Sequence, residues 1–226
     1  VPATATATAD LVAREAGVFA GAEVFEVAMT AIDSAADVKI FLAEGDRFAA
    51  GDTLATVSGS ARAILRCERI ALNLVQRMCA IAALTAQYVD AAGPGVRVVD
   101  TRKTTPGLRA IERHAVRCGG GFNHRFSLSD AVMAKDNHLA LVDDLTAAIK
   151  AARAELPHTT HLEVEVDRID QIEPVLAGGV DTIMLDNFSL ADLREGVRIV
   201  GDRALVEASG GVNLDTIGEI AKTGVD

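Results

Sequence analysis

The feature that most constrains the fold is a repeat of short apolar segments and helical stretches that begins after Pro94. Strands separated by helices at this spacing pair in parallel through right-handed crossovers. The sequence therefore predicts an α/β fold, as a barrel or an open sheet. The predicted strands are residues 96–100, 131–135, 161–166, 181–186 and 204–208, and the later helices are residues 144–155, 169–177, 190–200 and 213–222.

Charged or polar residues stand at the end of each predicted strand, where a packed core would not place them. In α/β barrels the C-terminal strand ends converge on one mouth, which carries the active site. This coincidence favours the barrel and predicts an enzyme. The residues are Asp100 and Arg102 after the first strand, then Lys135, Glu165, Asp186 and Ser209 at the later ones.

The chain before Pro94 has a different texture. Residues 8–59 indicate a small mixed domain, with a helical start at 10–15 and strands in 38–59 that turn at Gly45 and Gly51. Residues 60–88 form one long amphipathic helix with Arg69 on its polar stripe. We place the domain boundary between residues 92 and 93, so that 1–92 is the N-terminal domain and 93–226 the catalytic one.

Composition excludes some partners. The formal net charge is −10, from 22 Lys and Arg against 32 Asp and Glu, which argues against nucleic acid and acidic membranes as partners. No apolar run approaches the roughly 18 to 20 residues of a membrane span. The three cysteines, Cys67, Cys79 and Cys118, form no CxxC pair and no disulfide framework, so a reducing cytoplasm is expected.

A local group of cations follows the first and second predicted strands. Arg102 and Lys103 are adjacent in a loop stiffened by Pro106 and Gly107. The planar guanidinium of an arginine beside the compact ammonium of a lysine suits a substrate with several anionic groups. Three glycines, residues 119–121, precede the second set and let backbone approach a ligand. The full set is Arg102, Lys103, His124, Arg125 and Lys135.

Glu165 and Asp186 supply the opposite sign. Two carboxylates facing phosphate-rich substrate oxygens are typical ligands of Mg²⁺, and they also suit ribose hydroxyls. Glu163 lies two residues before Glu165 on the same strand face, so either is a candidate. Ser209 and Gly210 open a turn before a helix that Asn213 caps, and such an N-terminus favours phosphate.

With these motifs in hand, the chain resembles the quinolinate phosphoribosyltransferases. The resemblance covers the chain from about Ala5 to its end. The matching segments are Glu68-Arg69 with Leu72-Asn73, Asp100-Thr-Arg-Lys-Thr-Thr-Pro-Gly-Leu-Arg109, Gly119-Gly-Gly-Phe-Asn-His-Arg125, Lys135-Asp-Asn-His138, Val164-Glu-Val166, Leu185-Asp-Asn187 and Glu207-Ala-Ser-Gly-Gly211. It implies an N-terminal α/β sandwich followed by an open (β/α) barrel of the type II phosphoribosyltransferase kind, in a homodimer or a larger oligomer.

The resemblance also implies a reaction and a role for each residue. Quinolinate and 5-phosphoribosyl 1-diphosphate would react with Mg²⁺ as cofactor, giving nicotinate mononucleotide, pyrophosphate and carbon dioxide in de novo NAD biosynthesis. Glu165 and Asp186 would hold the metal and the ribose hydroxyls, and Ser209 with Gly210 the 5-phosphate. The two carboxylates of quinolinate would be bound by Arg69 from a partner chain, Arg102, His124, Arg125 and Lys135. The diphosphate would be bound by Lys103 and Lys135. The catalytic residues would be Lys103, Lys135, Glu165 and Asp186.

The chain departs from the family pattern in three places. Cys79-Ala80 replaces the usual Ser-Gly, and His114 replaces a common aromatic residue; both are interpreted as packing changes. We do not expect Cys79 to be a nucleophile, because its helical face is apolar. The family also has a helical segment before Val1 and a strand with a glycine loop after Asp226, so we expect both ends to be truncated and the barrel unclosed.

Four other interpretations fit the sequence less well. A paralogue would transfer phosphoribosyl without decarboxylation, but the density of Arg102, His124 and Arg125 favours a dicarboxylate. A molybdenum-associated pyrophosphorylase shares the Asp-Thr-Arg-Lys-Thr motif but not the match at 135–138. A biotinyl or lipoyl carrier needs an exposed turn lysine, and Lys39 is the one lysine before Lys103. A silent binding subunit is disfavoured because every charged position of the motifs is present.

Overall fold

The computed structural model describes residues 1–226, which divide into two compact units. The first unit contains residues 1–89 and 98–123, and the second contains residues 90–97 and 124–226. The boundary predicted between residues 92 and 93 stays a prediction. The elements are β1 (Thr6–Val12), β2 (Gly17–Val18), α1 (Ala22–Thr30), β3 (Asp37–Ile40), β4 (Arg47–Phe48), β5 (Thr53–Ser60), α2 (Ala61–Ala92), α3 (Arg109–Cys118), β6 (Val132–Ala134), α4 (Asp136–Leu139), α5 (Leu145–Glu155), β7 (Leu162–Val166), α6 (Ile172–Gly178), β8 (Thr182–Asp186), α7 (Leu190–Val200), β9 (Leu205–Ser209) and α8 (Ile217–Ala221).

The first unit is built on a three-stranded antiparallel sheet of order β1-β5-β3. A core forms between this sheet and the helices α1 and α2, and it includes Phe19, Phe25, Val57 and Ile64. Turns at Gly45 and Gly51 connect the strands, with φ of +91° and +94° that favour glycine. The small sheet domain predicted for residues 8–59 is confirmed, and its strands and helices form the sandwich layers.

Helix α2 confirms the long amphipathic helix predicted from the spacing of its apolar residues. Its buried positions include Ala71, Val75 and Met78, which contribute to the cores of the first unit. By length and composition α2 is also the one helix among residues 1–226 that could cross a membrane. That test is weak for a single helix, since core helices of soluble proteins pass it too.

The second unit is a four-stranded parallel sheet in the order β6-β7-β8-β9. Each strand pairs with the next one in the chain, and the connections carry α5, α6 and α7. This order is that of a barrel wall, because a doubly wound sheet reverses its strand order at a switch point. The predicted α/β architecture with an open (β/α) barrel is therefore confirmed.

The two faces of this sheet differ completely in chemistry. Alternate residues of β7 and β8, among them Val164, Ile183 and Leu185, are fully buried in the core that α5, α6 and α7 cover. The residues between them point to the opposite face. Parallel register aligns Glu165 with Met184 and Met184 with Glu207, so the opposite face carries the charged residues.

Two predicted elements are wrong, and a third is shorter than predicted. Residues 10–15 do not start a helix, because Thr6–Val12 pairs along β5 as an edge strand rich in β-branched residues. Residues 96–100 form no strand: Val99 makes one isolated parallel bridge to Phe122. The helix predicted at 213–222 is shortened to Ile217–Ala221, since residues 213–216 form a tight turn.

Candidate active site

The charged face of the second unit begins with a histidine held between two acids. His124 Nε2 lies 2.9 Å from a carboxylate oxygen of Glu163 and 3.5 Å from one of Glu207. The hydrogen bond to Glu163, followed by that to Glu207, raises the pKa of His124 to about 10, against the opposing effect of burial. Both acids favour the imidazolium form of His124, and they stand on β7 and β9, the two strands that flank β8.

Glu163 is the more deeply buried of the two acids on β7, with 2% of its surface exposed. One of its oxygens receives the bond from His124, and Oε1 has no hydrogen-bond partner. A buried carboxylate oxygen without a partner costs free energy, so this atom is a natural acceptor for a substrate hydroxyl or a water.

The next pair along the same face is Lys135 with Glu165. The ammonium group of Lys135 donates a hydrogen bond to Glu165 Oε2 and forms an ion pair with it. Lys135 stands directly after β6, where its backbone N–H donates to His138 Nδ1 at 2.9 Å and anchors the strand end. The two acids of β7 thus have different cations: Glu163 faces His124 and Glu165 faces Lys135.

The ends of β8 and β9 lie side by side. Asp186 pairs in register with Ser209, and the backbone N–H of Asn187 donates to the Ser209 carbonyl at 2.8 Å. Asn187 is the single non-glycine residue with positive φ, at 58°. Gly210 follows with φ of +87°, and a Cβ there would lie 2.1 Å from Asn187 Oδ1. Only glycine therefore fits at 210, and its backbone N–H remains beside the strand ends.

Asn213 plays a different part from the one predicted. Its Oδ1 accepts hydrogen bonds from the N–H groups of Asp215 and Thr216, at 2.9 and 3.1 Å. It caps the turn before α8 rather than the helix itself, which begins after Thr216.

Arg102 and Lys103 belong to the first unit, in the loop between α2 and α3. Two residues clamp this loop: Arg77 donates to the Thr105 hydroxyl, and Glu112 accepts from the Thr105 N–H at 3.1 Å. Burial raises the pKa of Glu112, but hydrogen bonds from Thr105 and Arg77 outweigh burial and lower the pKa below its usual value. Lys103 is exposed, whereas Arg102 is half-buried and its Nε has no hydrogen-bond partner.

The triple glycine serves packing. A Cβ on Gly119 would lie 2.4 Å from the carbonyl oxygen of Ala82, and one on Gly121 would lie 2.8 Å from Thr85 Cγ2. Both contacts are with α2, so the glycines let this segment lie against the helix. That this segment also lets backbone approach a ligand stays a prediction.

Arg69 and Arg125 complete the predicted set. Arg69 is exposed on α2. Arg125 Nη1 donates to the Ala131 carbonyl at 3.0 Å, which directs the guanidinium toward the start of β6.

The donor atoms of Glu165 and Asp186 fit Mg²⁺. Both supply carboxylate oxygens, which this ion prefers, and both lie on the charged face because Glu165 aligns with Met184, two residues before Asp186. Asp186 Oδ2 accepts a bond from the side-chain amide of Asn187 at 2.6 Å, which orients the carboxylate.

Sequence reasoning missed the part played by Glu207 and Asn187. Glu207 contacts His124 because β9 aligns with β8 in register, and that alignment depends on the crossover lengths. The sequence did contain a signal for Glu207. It lies two residues before Ser209 on one strand, as Glu163 lies two residues before Glu165 on β7, and this spacing places each pair on one strand face.

Comparison with known proteins covers both parts of the chain. Residues 1–79 match the model of the quinolinate phosphoribosyl transferase N-terminal domain, and residues 81–226 match that of the C-terminal domain. A probable carboxylating nicotinate-nucleotide pyrophosphorylase of Bacillus subtilis is 38% identical over 219 residues, which are 96% of this chain and 76% of the relative. A carboxylating nicotinate-nucleotide pyrophosphorylase of Mycobacterium leprae is 40% identical, with 100% of this chain and 81% of the relative covered.

Solved structures agree with the sequence comparison. NadC from Streptococcus pyogenes superimposes with a TM-score of 0.96 at 43% identity, covering 100% of this chain and 80% of that one. The sheet order, the charged strand ends and these matches define a phosphoribosyltransferase. More narrowly, the chain belongs to the quinolinate phosphoribosyltransferase family.

We expect Glu163→Gln to lower the pKa of His124 by more than one unit, because the amide keeps the shape but removes the charge that stabilises the imidazolium. NMR titration of the histidine side chains in the unaltered chain and in the variant measures this. The exposed His158 is the control, and its chemical shifts should be the same in the two proteins at each pH. An unchanged titration of His124 in the variant would contradict the pairing.

The raised pKa of His124 also predicts how stability depends on pH. The contribution of His124 to the free energy of unfolding is complete below about pH 6.5 and is lost as pH rises toward 10.

Proposed function

We propose that the charged residues of this chain divide between the two substrates of the family's reaction, quinolinate and 5-phosphoribosyl 1-diphosphate. The chain is a glycosyltransferase of the pentosyl type: it transfers phosphoribosyl to quinolinate with decarboxylation, giving nicotinate mononucleotide, pyrophosphate and carbon dioxide in de novo NAD biosynthesis. The observation that carries our assignment of residues is the alternation of cations with acids on one sheet face, His124 with Glu163 and Lys135 with Glu165.

The acceptor is a dicarboxylate, and the proposed residues offer it positive charge. His124 is a fixed cation because of its two acids. The buried Nε of Arg102 has no hydrogen-bond partner in the protein, and a substrate carboxylate would accept its hydrogen bond. The set that binds the two carboxylates is Arg69 from a second copy of the chain, Arg102, His124, Arg125 and Lys135.

The donor carries two sites of negative charge and a sugar. Lys103 and Lys135 bind the diphosphate, and Ser209 with the N–H of Gly210 binds the 5-phosphate, where a left-handed glycine keeps the backbone accessible. Glu165 and Asp186 hold the ribose hydroxyls and the Mg²⁺ ion. When bound, Mg²⁺ supplies positive charge beside the diphosphate oxygens.

The chemistry requires positioning more than covalent catalysis. The bond from C1 of the ribose to the diphosphate breaks, and the ring nitrogen of quinolinate forms a bond to the same carbon. Lys103 and Lys135 neutralise charge on the departing diphosphate while the sugar passes through an oxocarbenium-like state. Ribosylation makes the ring nitrogen cationic. The adjacent carboxylate then leaves as carbon dioxide, its electron pair stays on the ring carbon, and a proton from solvent completes the product.

Three features support a homodimer, or a larger oligomer built from it, in the cytoplasm. Arg69 is exposed on α2, and two large apolar neighbours are exposed with it, Leu65 at 53% and Ile70 at 62%. An isologous interface that buries these apolar side chains would place Arg69 against the other subunit. The free cysteines fit a reducing compartment.

Product analysis tests the reaction directly. The chain is mixed with quinolinate, 5-phosphoribosyl 1-diphosphate and Mg²⁺, and carbon dioxide and pyrophosphate are measured together, with nicotinate as the control acceptor. We expect equal amounts of both products from quinolinate and little pyrophosphate from nicotinate. Pyrophosphate without carbon dioxide would exclude the carboxylating reaction.

Mixing of two variants tests the shared site. We expect Arg69→Ala and Arg102→Ala each to lose most activity while keeping a melting temperature close to that of the unaltered chain, since each removes one arginine from outside the core. The two variants are mixed in equal amounts, so that subunit exchange makes half of the dimers mixed. If Arg69 acts across a dimer interface, each mixed dimer has one intact site of its two, and about one quarter of full activity returns. A mixture as inactive as the separate variants would show that both arginines serve the same subunit.

A further inference from the structure

A second group of potential ligands lies in the first unit and shares no residue with the substrate and metal sites proposed above. Glu44 stands in the loop between β3 and β4, and His114 and Cys118 are four residues apart on α3. Cys118 Sγ lies 3.4 Å from His114 Nε2 and 3.2 Å from Glu44 Oε2. The third side of the triangle, from His114 Nε2 to Glu44 Oε2, is 3.3 Å.

These distances match the edges of a tetrahedral coordination shell. Zinc binds sulfur at about 2.3 Å and nitrogen or oxygen at about 2.0 to 2.2 Å, so tetrahedral geometry separates its donor atoms by about 3.3 to 3.6 Å. The triangle of sulfur, nitrogen and oxygen is therefore of the right size to hold one such ion with little movement of the side chains. Sulfur and imidazole donors also select this class of metal over Mg²⁺, which prefers oxygen alone.

The ligands are held in place by groups behind them. Glu44 Oε1 accepts hydrogen bonds from the N–H groups of Gly21 and Ala22, at 3.0 and 2.7 Å. Gly45 lets the loop approach α3 closely, since a Cβ there would lie 3.1 Å from the Cys118 carbonyl oxygen. Supporting contacts of this kind orient the ligands of protein metal sites. The ring of His114 is 51% exposed, so an ion can enter from solvent.

Without a metal, the same atoms form a hydrogen-bonded group. Burial, and then the hydrogen bond to Glu44, raises the pKa of the Cys118 thiol to about 12, and the thiol donates to Glu44. The other ionisable group that influences Cys118 is Cys79 on α2, whose own pKa is raised by burial. A metal must displace the thiol proton, so binding releases one proton and becomes tighter as pH rises.

We propose that Glu44, His114 and Cys118 bind a divalent transition metal of the zinc type, with water as the fourth ligand. The ion joins the loop before β4 to α3, and so stabilises the first unit. This site shares no ligand with the proposed Mg²⁺ site, and its thiolate ligand gives it a distinct spectroscopic signature.

The test is titration of the full 226-residue chain, kept reduced with a phosphine, with Co²⁺ alone and then with Zn²⁺ in competition. We expect one Co²⁺ per chain to give a thiolate-to-cobalt charge-transfer band in the near ultraviolet, which Zn²⁺ abolishes. Cys118→Ser should remove the band, and His114→Asn should weaken binding at least tenfold. Cys79→Ser and Cys67→Ser are the matched controls and should keep the band.

Each other outcome contradicts the site. No charge-transfer band in the unaltered chain would show that the three atoms form only hydrogen bonds. A band that persists in Cys118→Ser, or that is lost in Cys79→Ser alone, would place the metal on another thiol. Because His114 is exposed, His114→Asn gives an answer even if Cys118→Ser fails to fold. Binding of Co²⁺ without a thiolate band would assign the ion to a site of nitrogen and oxygen donors, such as His124 with Glu163 and Glu207.

Discussion

Carboxylates buried on a sheet need cations beside them, and the second unit is organised around that requirement. Glu163 and Glu165 are 2% and 9% exposed on a strand whose other residues are apolar. Removing a charged carboxylate from water without a partner costs several kcal/mol, enough to unfold a typical domain when repeated. His124 and Lys135 offset part of this penalty, so removing either cation would leave a buried carboxylate without its partner.

This constraint has a functional consequence. A cation already held by a carboxylate is positioned before a substrate arrives, so little side-chain entropy is lost when an anionic group binds. The acids also keep this face from being uniformly positive, and in the proposed assignment they supply oxygen ligands for Mg²⁺ and for the ribose hydroxyls. Anions and hydroxyls of two substrates can thus be received on one face, while the helices on the other face maintain the fold.

Periodicity predicted most of the fold. The four later strands follow from short apolar runs with charged ends, and the long helix from the spacing of residues such as Val75 and Met78. Sequence reasoning failed where long-range pairing decides the outcome. Residues 6–12 have helix-forming alanines but form a strand because β5 lies beside them, and residues 96–100 remain irregular because Phe122 offers one bridge.

The candidate site was predictable to a similar degree. The charged residues and their strands could be named, but their partners could not, because His124 meets Glu163 and Glu207 through the register of separate strands. The same limit hid the contact of His114 with Glu44, residues that are 70 apart in the chain. For the triple glycine, only packing against α2 reveals why Gly119 is required.

The central claim is that one face of the sheet supplies stability and the other supplies function. Single alanine substitutions along β7, from Leu162 to Val166, test it when the free energy of unfolding and kcat/KM are measured for each variant. We expect a period of two: Leu162, Val164 and Val166 lose about 1 to 4 kcal/mol of stability, with kcat/KM of the folded fraction retained. Glu163 and Glu165 should lose at least tenfold in kcat/KM, beyond any loss of folded protein. Losses of activity that follow stability at every position, without alternation, would contradict the account.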